Sequence, residues 1–255
     1  MTKTRAMDIV LRPAVTIFGV FLFVAALGLG TARPACAAVQ AEIFARPDAE
    51  GTVDVATPHL ARTLVVLLSG DGGWWGDLDA QVANRLASAG YAVVGVDTQI
   101  WFAELRSPEQ VAEHLSDLIA STMRKTGARR FVLAGYSFGA DMVAPAFARM
   151  HAPLRREAAA FVLLSPGRVA SFQVTVLEQT GIAAGAYALA ADFMRLPKER
   201  TLCISGQDEQ ADSGCSDPAL AGAIKVLLPG GHHYDHDTEA LAGRILDVLK
   251  SKAPA

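Results

Sequence analysis

The sequence predicts an α/β fold: a mostly parallel sheet with helices on both faces and a possible small inserted cap. From Thr63 onward, short apolar runs bounded by glycine alternate with longer stretches at helical spacing, the rhythm of strands joined by crossover helices. Each apolar run has strand length, about four to eight residues, and is too short for a helix. The chain of 255 residues, 51% hydrophobic and 19% charged, has the composition of a globular protein with a substantial core.

The first segment differs from the rest. Lys3, Arg5 and Arg12 precede the apolar run AVTIFGVFLFVAALGLG (Ala14 to Gly30), and TARPACAA follows. A positive start, an apolar middle and an Ala-x-Ala site predict a secretory signal peptide over 1–37, cleaved after Ala37. The apolar run falls short of the roughly 20 residues a spanning helix needs, and Arg33-Pro34-Ala35 before Cys36 does not resemble a lipobox. Residues 38–62 are read as a lead-in to a single domain over 63–252.

TLVVLLSG (Thr63 to Gly70) reads as the first buried strand. LDAQVANRLASAG follows as a helix, with Leu78, Val82, Leu86 and Ala89 on one face and Gly90 as its stop. YAVVGVD from Tyr91 is the next strand. The next helix runs to Gly127, with Ser107 as its cap and Pro108 at its first position. RRFVLAG, FGADMVAPAFARM and AAFVLLSPG continue as strand, helix and strand. Between Gly167 and Pro197 the rhythm breaks, and this region is the possible inserted cap. TLCISG at Thr201 and AIKVLLPGG at Ala223 resume as strands, and Thr238 to Lys250 closes the chain as a helix with Leu241, Ile245 and Leu249 on one face.

Charge and cysteine count narrow the classes of partner. Removal of 1–37 takes Lys3, Arg5, Arg12, Arg33 and Asp8 away from 23 basic and 26 acidic residues, leaving 19 and 25, a net charge of −6. No basic stripe remains, which argues against nucleic-acid binding. Cys36 leaves with the leader, and the remaining pair, Cys203 and Cys215, predicts one disulfide in an oxidising compartment, with two free thiols as the alternative.

The sharpest chemical signal is GYSFGA (Gly135 to Ala140), which matches the nucleophile-elbow pattern Gly-x-Ser-x-Gly. That pattern needs a strand before it and a helix after it, and FVLAG and FGADMVAPAFA supply both. The fold is therefore predicted to be an α/β-hydrolase with Ser137 as nucleophile. A serine hydroxyl needs a base to take its proton and an acid to orient that base. In this class the chain order is Ser, acid, His, which leaves His232, His233 and His236 in GGHHYDHD. Gly230-Gly231-His232 has the Gly-x-His form common at that loop, so His232 is preferred and His233 is the alternative. The acid falls in GQDEQAD, where Glu209 stands three residues past Gly206 and is preferred over Asp208.

SGDGGWWGDLD (Ser69 to Asp79) follows the first strand, where this class places half of its oxyanion hole; the candidate donors are the amides of Asp71 or Gly72, with that of Phe138. A phosphate loop at Gly72-Gly73 lacks the Gly-Lys-Ser/Thr ending. His232 and His236 have an i, i+4 spacing that binds zinc only on one helical turn, and Gly230-Gly231 predicts a loop instead. The sequence therefore implies no metal and no cofactor.

SGDGGWWGDLD, GYSFGAD, the Cys203–Cys215 pair and PGGHHYD together resemble the VirJ/AcvB family of exported bacterial proteins, from Thr63 to Leu249. The resemblance implies a periplasmic serine esterase. For AcvB-like members it implies hydrolysis of aminoacylated phosphatidylglycerol, notably the lysyl form, with peripheral contact at the membrane surface. For VirJ-like members it implies a role in type IV secretion and virulence, so a non-catalytic binding protein with a secretion-system partner is the rival reading. AcvB-like members carry an additional N-terminal part that has no counterpart here. Asp141, four residues after Ser137, is a candidate to pair with a substrate ammonium group; stabilising the helix N-terminus is its simpler role.

Overall fold

The structure, a computed structural model, describes residues 47–251 apart from 57, 59, 60, 75, 76 and 176–184. The expected leader and its cleavage site lie outside the described residues. Among the described residues no helix is long and apolar enough to cross a membrane.

The described strands β1 (Thr52–Ala56), β2 (Thr63–Leu68), β3 (Ala92–Val96), β4 (Arg130–Tyr136), β5 (Ala158–Leu164), β8 (Thr201–Gly206) and β9 (Ile224–Leu228) form one sheet in the order β1-β3-β2-β4-β5-β8-β9. All neighbours pair in parallel except β1, which runs antiparallel to β3 along the edge. β1 lies in the stretch read as a lead-in, and its pattern TVDVA covers the edge of β3 with Val53 fully buried.

Alternate residues of a strand point to opposite faces, and the core divides accordingly. Leu64, Val66 and Leu68 of β2 pack on one face with Leu133 of β4 and with Val111, Leu115 and Ile119 of α3 (Pro108–Thr126). Val65 and Leu67 face the other side, against Val82 and Leu86 of α1 (Asp77–Ser88) and against Leu241 and Ile245 of α7 (Thr238–Ser251). Each fully buried aliphatic side chain of this kind contributes about 1.5–3 kcal/mol by leaving water. α3 starts as predicted: Ser107 Oγ accepts from Gln110 N–H, and the Gln110 side chain accepts from Ser107 N–H. It stops at Gly127, whose φ of 75° suits a residue without Cβ.

Short elements absent from the sequence reading are α2 (Thr98–Trp101) and α5 (Ala152–Glu157). The possible cap at 167–197 contains an antiparallel pair, β6 (Val169–Ala170) with β7 (Tyr187–Ala188), followed by α6 (Ala190–Phe193). Gly230 and Gly231 lie beyond the end of the last strand at Leu228, in the loop that carries the histidines.

The strand order places the site. The connection from β2 moves to β3 on one side, whereas β4 returns to the other side of β2. The chain beyond the carboxyl ends of β2 and β4 thus diverges, and this switch point is where open α/β sheets leave a crevice.

Candidate active site

Ser137 stands at that switch point, between β4 and α4 (Phe138–Arg149), with φ 52° and ψ −121°. A positive φ in a residue with a Cβ is strained, and such strain persists only where the surroundings enforce it. Both motif glycines are required by close approach: a Cβ on Gly135 would lie 2.2 Å from Gly139 O, and one on Gly139 would lie 2.4 Å from Ser69 O. The elbow is therefore pressed against the end of β2.

Ser137 Oγ lies 2.8 Å from His232 Nε2, and His232 Nδ1 lies 2.7 Å from Glu209 Oε2. With Glu209 ionised, Nδ1 carries the proton and donates to the carboxylate. Nε2 is then the acceptor for the Ser137 hydroxyl. Burial alone would raise the Glu209 carboxyl, but hydrogen bonds from His232, Ser165 and Gly206 outweigh it and hold the group below its ordinary value. The His232 side chain is 41% exposed and that of Glu209 21%, so the imidazole meets solvent while its partner is sheltered.

Of the two acids proposed, the structure pairs Glu209 with His232; Asp208 is exposed, and its backbone N–H donates to Gly230 O. Of the two adjacent histidines, His232 meets Ser137, whereas His233 Nδ1 meets Tyr136 Oη at 2.7 Å. Burial, then the neighbouring His232 and His236, push His233 below its ordinary value, and burial pushes Tyr136 up. The two groups therefore meet as a neutral imidazole and a protonated phenol. The phenol hydroxyl donates to His232 O, 3.2 Å, so Tyr136, directly before Ser137, holds the histidine loop.

His236 stacks on His233, with ring centroids 5.8 Å apart. Tyr234, Asp235 and His236 all have positive φ, so His232 and His236 do not share a helical turn. Among the described residues no group of three or more His, Cys, Asp or Glu is arranged to hold a metal ion.

Asp71 and Gly72 form the crest of a turn closed by Gly73 N–H to Gly70 O, 3.0 Å. Both line a cavity of about 280 Å³ with Tyr136, Ser137 and His232. Phe138 opens α4, and the first N–H groups of a helix have no acceptor within it. The loop is held from below by residues absent from the sequence reading. Asp97 accepts from Trp74 N–H and Ile100 N–H, both 3.0 Å, and Asp79 accepts from Gly70 N–H, 3.3 Å. Asp79 is 2% exposed and its other oxygen has no hydrogen-bond partner among the described residues; burial pushes its carboxyl up to about 8. Only Asp79 carried a sequence signal, as the last residue of the glycine-rich loop.

A second cavity, of about 180 Å³, also borders Ser137 and is lined by Asp71, Phe138, Asp141 and Val169. Val169, Ser171, Val174 and Gly185 bring the 167–197 region into its wall. Asp141 accepts from Gly167 N–H at 2.7 Å, and burial pushes its carboxyl well above the ordinary range. It thereby links α4 to the start of that region.

Cys203 and Cys215 form a disulfide, with Cα atoms 5.6 Å apart, across the segment that holds Glu209. Gly206 is needed at the strand end, because a Cβ there would lie 2.2 Å from Gly231 O. The acid and base loops touch at that point.

A parallel sheet with a single antiparallel edge strand, flanked by helices and carrying a serine on a strained strand-to-helix turn, defines an α/β-hydrolase fold. A family model for the bacterial virulence protein VirJ matches residues 62–253, and the chain belongs to that family. Among solved structures it is similar to an esterase of Pyrococcus furiosus (14% identity, TM-score 0.58, covering 79% of this chain and 86% of that one). It is also similar to a hyperthermophilic esterase of Pyrobaculum calidifontis (18% identity, TM-score 0.55, 78% of each chain). A third likeness is to proline iminopeptidase of Mycobacterium smegmatis (11% identity, TM-score 0.53, 77% and 93%). At these identities the likeness shows the fold alone. No curated protein matches the chain significantly.

Proposed function

We propose that this protein is a serine hydrolase that cleaves an ester through an acyl-enzyme, with Ser137 as nucleophile, His232 as base and Glu209 as the group that orients it. The observation that carries this reading is the continuous row Ser137 Oγ–His232 Nε2, 2.8 Å, and His232 Nδ1–Glu209 Oε2, 2.7 Å. In this mechanism Ser137 Oγ attacks the ester carbonyl carbon as its proton passes to Nε2. The carbonyl oxygen takes the negative charge and is received by the amides of Phe138 and of Asp71 or Gly72. Collapse expels the alcohol, which takes the proton from Nε2. Water, deprotonated by the same nitrogen, then releases the acid and restores Ser137.

The substrate proposed is an aminoacylated phosphatidylglycerol, notably the lysyl form, met by an exported, periplasmic protein at the membrane surface. The disulfide supports export, because such bridges persist in oxidising compartments. The second cavity supports a cationic acyl group: Asp71 and Asp141 lie in its lining and, among the described residues, no lysine or arginine does; an ammonium beside Asp141 would offset the burial that holds its carboxyl up. The experiment is fluorophosphonate labelling, expected in the wild type and lost in Ser137→Ala, followed by turnover of a panel of aminoacyl phospholipids and neutral esters. Asp141→Asn is expected to raise KM for lysyl esters about tenfold more than for neutral ones, the scale of one charge-assisted contact; equal effects would remove Asp141 from recognition.

The family's description as virulence proteins favours a second reading, a hydrolase-fold binding protein that assists type IV secretion. Full virulence function in a Ser137→Ala strain would support it.

A further inference from the structure

We infer that a second serine, Ser165, acts with Tyr234 as a positioning pair for the Glu209 carboxylate, closing the row Ser137–His232–Glu209 into a ring. The inference rests on the reading of Ser137 as nucleophile. Ser165 follows directly on Leu164, the last residue of β5, and is 4% exposed. Its Oγ donates to Glu209 Oε1 and lies 2.7 Å from Tyr234 Oη. The phenol proton is shared between Ser165 Oγ and Ile204 O, 3.1 Å away on β8. Tyr234 is 1% exposed and stands two residues after His232. A path of hydrogen bonds therefore leaves His232 through its imidazole, passes Glu209, Ser165 and Tyr234, and returns to His232 along two peptide units.

The carboxylate is held at both oxygens. Oε2 receives His232 Nδ1–H, and Oε1 receives the Ser165 hydroxyl and Gly206 N–H, 3.2 Å. Two donors on one oxygen fix the plane of the carboxylate, and that plane sets the direction in which the other oxygen faces the imidazole. A buried hydroxyl that merely found the nearest acceptor is the simpler explanation, but the backbone argues against it. Ser165 has φ 48°, in the left-handed region, and its N–H is held by Ile204 O at 2.8 Å. A side chain at such an angle costs of order 1–3 kcal/mol, and glycine would adopt it freely. The chain carries a serine where glycine would be the less strained choice, so the hydroxyl has a use beyond filling space.

The test is kinetic, with a p-nitrophenyl ester as substrate. Ser165→Gly removes the hydroxyl and relieves the backbone at once, so its melting temperature is expected to stay within a few degrees of wild type. Its kcat is expected to fall about tenfold or more with KM within about twofold, as for a lost contact that orients the base. The deficit is expected to deepen from about pH 8 to about pH 5, because a carboxylate with one hydrogen bond fewer takes up a proton more readily. Tyr234→Phe, which keeps the buried ring, is expected to show a smaller loss of the same kind. Wild-type kcat in Ser165→Gly, with Ser137→Ala inactive in the same assay, overturns the inference. Retained turnover in Ser137→Ala brings down the nucleophile reading itself, and this inference with it.

Discussion

Replacing both Cys203 and Cys215 by alanine separates two effects of the disulfide that the structure joins. The cysteines are 12 residues apart, and closing a loop of that length removes about 3 kcal/mol of freedom from the unfolded chain. The two residues are almost fully buried, at 0% and 5% exposure, so alanine leaves a small void without orphaning a polar group. For a domain of this size each kcal/mol is about 2–4 °C, so the melting temperature should fall by roughly 6–12 °C. The second effect is local, because Glu209 lies inside the loop. Gly214 N–H to Pro166 O, 2.7 Å, and Ser213 N–H to Glu209 O, 3.0 Å, still hold the loop when the bridge is gone. The carboxylate should therefore loosen without leaving His232, with kcat lower by roughly 3–10-fold at 25 °C, well short of the 10²-fold that a full 1 Å displacement can cost. Differential scanning calorimetry and steady-state ester hydrolysis measure the two quantities on one preparation. An unchanged melting temperature refutes the loop-entropy reasoning, and a lower one with wild-type kcat refutes the coupling to Glu209.

Three other outcomes are expected. Glu209→Gln should lower kcat by about 10³–10⁴ with KM little changed, since an amide cannot fix the Nδ1–H tautomer as a carboxylate does; single-turnover kinetics would show it. Asp79→Asn keeps an acceptor for Gly70 N–H but removes a buried acid that is pushed up to about 8. From the ordinary carboxylate value up to about 8 the folded state binds a proton that the unfolded state has released, so this group subtracts stability as pH rises. The asparagine variant should gain about 2 kcal/mol at pH 8, a fraction of the full shift, and nothing below about pH 4; urea titrations at both pH values test this. Tyr136→Phe removes the tie to His233 and the His232 carbonyl, and should lower kcat about threefold to tenfold with little loss of fluorophosphonate labelling, the cost of one net hydrogen bond.

What could be read from the sequence followed from local rules. The strands β2 to β5 were legible because runs such as VVLL and FVLL are buried on both faces and bounded by glycine. Ser137 was legible because its turn needs a glycine on either side. β1 was not, since an edge strand of five residues with Asp54 exposed carries little apolar signal. Ser165 and Tyr234 were invisible for another reason. Their positions depend on β5, β8 and the histidine loop converging, and no spacing within one segment encodes that meeting. Asp97 was likewise hidden, as its carboxylate acts on Trp74, 23 residues earlier.

The reversal of strand order at β2 has a consequence for how the molecule comes into being. The nucleophile and the glycine-rich turn belong to the two strands beside the switch, β2 and β4, whereas Glu209 and His232 follow β8 and the edge strand β9. On the proposed mechanism, handling of the carbonyl falls to residues before the last third of the chain and handling of the proton to residues within it. A folding intermediate with the central strands assembled and β9 still unpaired would display Ser137 with no base beside it. On the proposed mechanism, such a molecule is inert until its final strand docks.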